Sequence, residues 1–146
     1  MPVAEYAAEL RERLPGVEVR HAETPAEERE RIADAEIVTG MSIDEDLLEH
    51  ADDLRLFACA YAGTGHLPLD ALESRGVAVT NASGVHGPNI AEHVVGAVLS
   101  FVRGFHEAWR RQQRREWRHF RARELQGSTV TVVGLGAIGH AVVERL

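Results

Sequence analysis

The chain has 146 residues and a mass of 16.1 kDa, is 45% hydrophobic and 27% charged, and carries a formal net charge of −7. That is a globular composition with room for one domain, or for one domain and part of a second, and it excludes a largely disordered chain. The single cysteine, Cys59, excludes an internal disulfide framework and a cysteine-based zinc site. No apolar run approaches the ~20 residues of a membrane span, and the acidic, amphipathic opening Met1–Leu10 is not a signal peptide. A soluble cytoplasmic protein with no membrane partner is expected.

All 16 basic residues are Arg, against 23 acidic ones. A lysine-free, glutamate-rich composition suits a GC-rich genome or a halophilic protein, because salt screens the mutual repulsion of excess carboxylates. The charge is unevenly spread. Residues 1–100 hold 19 acids and 7 Arg, net −12, whereas residues 101–146 hold 4 acids and 9 Arg, net +5. A basic segment of this kind raises nucleic-acid binding as one reading.

Along the chain, helix and strand signals alternate. Val3, Ala7, Leu10 and Leu14 recur at helical spacing until Pro15-Gly16 stops them. Val17–Arg20 alternates like a short strand. Thr24-Pro25-Ala26-Glu27 reads as a capping box with proline at the first helical position, opening a helix to about Ala33. A strand at Glu36–Gly40, a short helix at Asp44–His50 and an apolar strand at Leu54–Ala60 follow, the last suited to burial on both faces. Leu67–Arg75 predicts a helix ended by Gly76, Val77–Thr80 a strand, and Asn81–Gly87 a polar loop. From Pro88 a long helix shows an apolar stripe of Ile90, Val94, Ala97, Val98 and Phe101. An Arg-rich, aromatic stretch covers 103–123, and Gln113–Gly127 reads as the linker at a domain boundary. Thr129–Val133 predicts a last strand and Ala137–Leu146 a last helix. Repeated β-then-α order argues for a parallel α/β architecture.

Two motifs carry chemistry. Gly134-Leu135-Gly136-Ala137-Ile138-Gly139 lies between an expected strand and an expected helix, the setting that a G-x-G-x-x-G pattern needs to hold a dinucleotide. Gly134 permits the tight turn, Gly136 lets the backbone approach a pyrophosphate, and Gly139 allows helix and strand to pack closely. The amides of Gly136, Ala137 and Ile138 then face phosphate at the positive end of a helix. The acidic residue expected about 20 positions further on, for the ribose hydroxyls, falls beyond Leu146.

The second motif pairs Tyr61-Ala62-Gly63-Thr64-Gly65 with Asn81-Ala82-Ser83-Gly84-Val85-His86-Gly87. Each follows an expected buried strand, which puts both loops at the carboxyl edge of a parallel sheet, where ligands bind. Consecutive amides near Ala62 and Gly63 suit a small carboxylate. Taken alone, the pattern serves a plain turn equally well.

With these residues in view, the chain resembles the D-isomer-specific 2-hydroxyacid dehydrogenases. The resemblance rests on Ala62-Gly63-Thr64 with Leu69-Asp70, on Val79-Thr80-Asn81 leading to Ile90-Ala91-Glu92-His93-Val94-Val95, and on Glu124–Val130 running into Gly134–Gly139, with Trp117 as a linker tryptophan. It implies a flavodoxin-like parallel-sheet substrate domain at 1–87, a domain-crossing helix and linker at 88–125, and the first β-α unit of a Rossmann NAD(P)-binding domain at 126–146. It implies hydride transfer between NAD or NADP and a small D-2-hydroxy or 2-oxo acid. Tyr61, Ala62, Gly63 and His86 would contact substrate; Thr64, Gly134, Gly136, Ala137, Ile138 and Gly139 would contact cofactor. The family's catalytic Arg, Glu and His would lie beyond Leu146, so no residue of this chain inherits those roles. A non-enzymatic NAD(H)-binding regulator of the same fold, corepressor-like, is the alternative.

Several departures accompany the resemblance. Ala137 replaces a common Arg, Gly65 and Pro68 stand where acidic residues are usual, and the first helix follows Met1-Pro2 with no strand before it. Glu92-His93 lacks the second His of a zincin helix, so no metal site is expected. Asn81-Ala82-Ser83 matches a glycosylation sequon by chance. The run from Arg110 to Arg123, interleaved with Trp109, Trp117 and Phe120, looks like a nucleic-acid surface, but arginine stems also cover apolar helix surface and pair with carboxylates. In the family this segment takes part in a dimer contact, so a homodimer through 88–123 and no nucleic acid is the expectation.

Overall fold

In the computed structural model, which describes residues 2–146, the chain forms two compact units, one running to Ser83 and one from Gly84 to Leu146. The first contains α1 (Val3–Arg13), α2 (Pro25–Ile32), β1 (Ile37–Gly40), α3 (Glu45–Leu48), β2 (Leu56–Cys59), α4 (Leu69–Ser74) and β3 (Ala78–Asn81). Local chemistry explains their ends. Thr24 Oγ1 accepts from the Glu27 amide at 3.3 Å, while the Glu27 carboxylate accepts from the Glu23 amide at 2.8 Å. The reciprocal bond of the capping box thus lands one residue upstream of the cap. Asp44 caps α3 by accepting from the Leu47 amide at 2.7 Å. Gly76, at φ +72°, supplies the left-handed turn that lets the chain leave α4 for β3.

The three strands form a parallel sheet in the order β1-β2-β3. Parallel neighbours require crossovers, and α3 and α4 provide them. The register pairs Gly40 with Cys59 and Cys59 with Asn81, so all three strands end level at one edge of the sheet. Beneath it, Phe57 and Leu72 are wholly buried among Ile32, Ile43, Leu48 and Leu54. Burying a phenyl group of this kind contributes about 2–3 kcal/mol. The middle strand departs from the expected burial on both faces. Phe57 and Cys59 are buried, but Leu56 and Ala58 are only half-buried, so one face carries the core and the other is partly open.

Val17–Arg20 is not a strand. The Arg11 guanidinium takes the Val19 carbonyl with two bonds, at 3.0 and 2.7 Å, and no strand lies alongside among the described residues. A strand is made by its partner's ladder, and alternation alone does not supply one.

The second unit contains α5 (Gly87–Val102), α6 (Phe105–Gln113) and α7 (Ala137–Val143). Helices α5 and α7 meet through Ala91, Ala141 and Val142, with Val94 and Val132 packed against them. The small side chains let the backbones come close. The contact is centred on Ala91, outside the expected apolar stripe, with Val94 of that stripe beside it, while Ala97 and Phe101 stay exposed. Gly104, at φ +67°, separates α5 from α6, and the chain after α6 folds back over it. Phe120 lies so close that a Cβ at Gly104 would meet its ring edge at 2.6 Å. The Arg111 guanidinium sits 5.0 Å from the Phe120 ring centroid, and the Arg123 amide bonds the Val102 carbonyl at 3.1 Å.

The expected strand at Thr129–Val133 has no ladder. The segment is irregular and Val133 is 95% exposed, because no other strand of this unit lies beside it among the described residues. Only its helical half, α7, has regular structure.

Candidate functional site

The level strand ends of the first unit build the first site. From Cys59 the chain turns through Ala60, whose amide bonds the Gly40 carbonyl at 2.8 Å, into Tyr61–Thr64. The Tyr61 carbonyl accepts from the Ala82 amide at 3.0 Å, and the Ala62 carbonyl accepts from Asn81 Nδ2 at 2.7 Å. The amides of Ala62 and Gly63, in contrast, donate to no acceptor among the described residues. Two consecutive N–H groups are thus available at the carboxyl edge of the sheet, which is the requirement for seating a small anion. Farther along, His66 Nε2 lies 2.7 Å from the Met41 carbonyl, which places its proton on that nitrogen. The Tyr61 ring meets the imidazole edge-on, with centroids 5.6 Å apart. A cleft of about 460 Å³ in this unit is lined by Glu28, Ser42, Asp44, Glu45 and His66 rather than by Ala62 or Gly63.

The second unit holds the glycine turn. Gly134 is at φ +90°, a conformation only glycine adopts without strain, and Gly136 is the N-cap of α7. A Cβ at Gly139 would overlap the Gly134 carbonyl oxygen, whereas one at Gly136 would meet nothing within 4 Å. The third glycine is therefore required for close packing, and the second leaves the backbone open to a ligand. No side chain caps α7, so its first amides, at Ala137 and Ile138, are not capped by the protein. Beside this turn, a Cβ at Gly87 would lie 3.4 Å from the Ala137 carbonyl oxygen, and one at Gly84 3.9 Å from the Ala137 side chain. His86 is the N-cap of α5, accepting from the Ile90 amide at 2.9 Å through its carbonyl, with its imidazole exposed.

The predicted residues therefore gather in two groups. Tyr61, Ala62, Gly63 and Thr64 lie together in the first unit; His86 lies with the Gly134–Gly139 turn in the second. Sequence reasoning passed over Asn81 and His66. Asn81 was read as part of the second motif's loop and as a sequon but given no role of its own, yet its side chain bonds the Ala62 carbonyl; its place directly at a strand end was the available signal.

The arginine-rich stretch is partly engaged within the chain. Arg111 bonds Glu107 at 2.7 Å and the Arg118 carbonyl at 3.1 Å, and Arg103 bonds the Arg123 carbonyl at 3.3 Å. The Arg111 hydrogen bond holds the Glu107 carboxyl below its ordinary range. Aromatic side chains face solvent in the same region: Trp109 is 68% exposed and Trp117 94%. No helix among the described residues is long and apolar enough to cross a membrane.

Comparison with known proteins decides the family. The model of the D-isomer specific 2-hydroxyacid dehydrogenase catalytic domain matches residues 2–146. The chain belongs to this family. It is 32% identical over 149 aligned positions to a D-3-phosphoglycerate dehydrogenase of Methanocaldococcus jannaschii, an alignment covering 99% of this chain and 28% of that protein. It is 31% identical to a glyoxylate/hydroxypyruvate reductase of Arabidopsis thaliana, covering 92% of this chain and 41% of the relative. The structure of a D-isomer specific 2-hydroxyacid dehydrogenase family protein from Aeromonas salmonicida superposes with a TM-score of 0.81 at 27% identity, over 98% of this chain and 46% of that one. An NAD-dependent formate dehydrogenase from Staphylococcus aureus, solved in complex with NAD, superposes at 0.59 and 28% identity over 80% of this chain and 38% of that one. The chain spans less than half the length of each of these relatives.

Proposed function

We propose that the chain is the amino-terminal part of an NAD(P)-dependent oxidoreductase that moves hydride between the nicotinamide and a small D-2-hydroxy or 2-oxo acid. The observation that carries this reading is the pair of unbonded amides at Ala62 and Gly63, at the carboxyl edge of a parallel sheet in a chain of this family. In the proposed complex they donate to the substrate carboxylate, with Tyr61 beside them. Fixed N–H donors bind a carboxylate without reorganising, which holds the adjacent carbon in a constant position.

The dinucleotide fits the second unit's turn. Gly134 makes the turn, Gly139 packs against it, and Gly136 leaves the backbone open to a pyrophosphate, which the Ala137 and Ile138 amides would hold. When bound, the nicotinamide supplies or takes up the hydride. No acid/base role is assigned to any residue of this chain, and the 146 residues by themselves are expected to turn over no 2-oxo acid. By family resemblance, residues 1–87 act as the substrate domain, 88–125 as crossing helix and linker, and 126–146 as the start of the nucleotide domain. The exposed aromatics of 88–123 support a homodimer contact.

The test is reductive turnover. The complete gene product, given NADH or NADPH with glyoxylate, hydroxypyruvate or pyruvate, is expected to consume the reduced cofactor. Absence of turnover with every 2-oxo acid and both cofactors, in a folded protein, would reject the reading.

A further inference from the structure

The Ala62 carbonyl and the Gly63 N–H belong to one peptide unit, as do the Tyr61 carbonyl and the Ala62 N–H. All peptide bonds of the described residues are trans, so in each unit the N–H points opposite to the C=O. Both carbonyls are held from the end of β3: Ala62's by the Asn81 side chain at 2.7 Å, Tyr61's by the Ala82 amide at 3.0 Å. Holding a carbonyl on one side aims the attached N–H to the other. Asn81 is itself fixed, being the last residue of β3 and paired in register with Cys59, three residues before Ala62.

We infer that Asn81 is a positioning residue that sets the direction of the Gly63 N–H, and so the geometry of the carboxylate seat. The inference rests on the carboxylate reading above and adds to it which donor depends on which residue. Gly63 depends on the Asn81 side chain. Ala62 depends on main chain that substitution at Asn81 leaves in place. A glycine at position 63 has little conformational restraint of its own, and a Cβ there would meet nothing within 4 Å, so the peptide needs an external hold.

The experiment is an amide-resolved NMR titration of the 146-residue chain with pyruvate, on the wild type and on Asn81→Asp, which keeps the shape and loses the NH₂ donor. The wild type is expected to show saturable shifts at both Ala62 and Gly63. In Asn81→Asp the apparent dissociation constant should rise about three- to tenfold, the factor that one hydrogen bond's net worth implies. The Gly63 amide should also move from its wild-type shift in the absence of pyruvate, while Ala62 keeps most of its response. Asn81→Ala serves as a second donor-free variant should the first not fold, with the same expectation. General loosening of the loop would instead weaken both amides alike, and that result overturns the inference. So does an unchanged Gly63 response. If neither amide of the wild type responds to pyruvate, the carboxylate reading falls and this inference with it.

Discussion

The carbonyl oxygen of Gly134 occupies the space that a side chain at Gly139 would need, so the first and third glycines of the turn constrain each other directly. Gly136, between them, touches nothing with its open side. The three glycines of the motif are thus unequal, in the three ways their positions in the pattern lead one to expect.

That inequality predicts opposite outcomes for two alanine substitutions. Gly139→Ala forces backbone apart at the start of α7 and should cost about 1–3 kcal/mol, the usual range for overpacking, with amide shifts spreading through 132–143. Gly136→Ala, at φ −75° in open space, should leave the fold intact and reduce only dinucleotide binding. Chemical denaturation and NMR spectra of the two variants distinguish these results; equal destabilisation would contradict them.

Phe57 anchors the first unit from the central strand. Phe57→Ala removes a wholly buried ring and is expected to destabilise by about 3–5 kcal/mol. A unit of this size carries only a modest total stability, so urea unfolding should show loss of most of the folded baseline. A shift below about 1 kcal/mol would mean that the core is elsewhere.

Three carboxylates tie stability to pH. Asp34 is held below its ordinary range chiefly by the hydrogen bond from Arg20 at 2.7 Å, Glu27 by the Glu23 amide, and Glu107 by Arg111. A depressed folded-state value means that the unfolded chain binds protons first as pH falls. Their contribution is therefore present at neutral pH and above the ordinary carboxylate range, and is lost as acid titrates the folded groups. Asp34 is exposed and Glu27 and Glu107 are only half-buried, so the effect should be small and weakened by salt. Carboxyl-detected NMR titration should find each midpoint below the value of a free Asp or Glu, and Asp34→Asn should flatten the acid limb of stability.

The exposed aromatics of the second unit predict association. Phe101, Phe105, Trp109 and Trp117 leave a larger apolar surface in water than single scattered residues do, and aromatics beside Arg are enriched at protein interfaces. Sedimentation of the complete gene product should show a dimer that persists in molar salt, and Trp109→Asp should weaken it. A monomer in salt that binds DNA or RNA only at low ionic strength would assign the arginines to phosphate instead.

Much of this molecule is legible in its sequence because the decisive signals are local. Thr24-Pro25 and Asp44 start helices by chemistry contained within four residues, and the glycine spacing of 134–139 carries its own turn. The two false strands fail for the complementary reason. Val17–Arg20 and Thr129–Val133 alternate or run apolar like strands, but a ladder depends on a neighbour that local pattern does not specify. The same limit hides Asn81, whose partner lies 19 residues away, and the stacking of Arg111, Phe120 and Gly104. Each of these contacts is created by the fold rather than announced by spacing.

The carbonyls of residues 61 and 62 are held from the end of β3, and no side chain from Gly65 to Pro68 bonds them. The direction of the two N–H groups is therefore tied to the sheet register rather than to the loop beyond Thr64. Sequence drift or engineering beyond Thr64 can reshape the loop while those two N–H groups stay where the sheet register puts them. A loop arranged in this way can vary its outer half without rebuilding its floor.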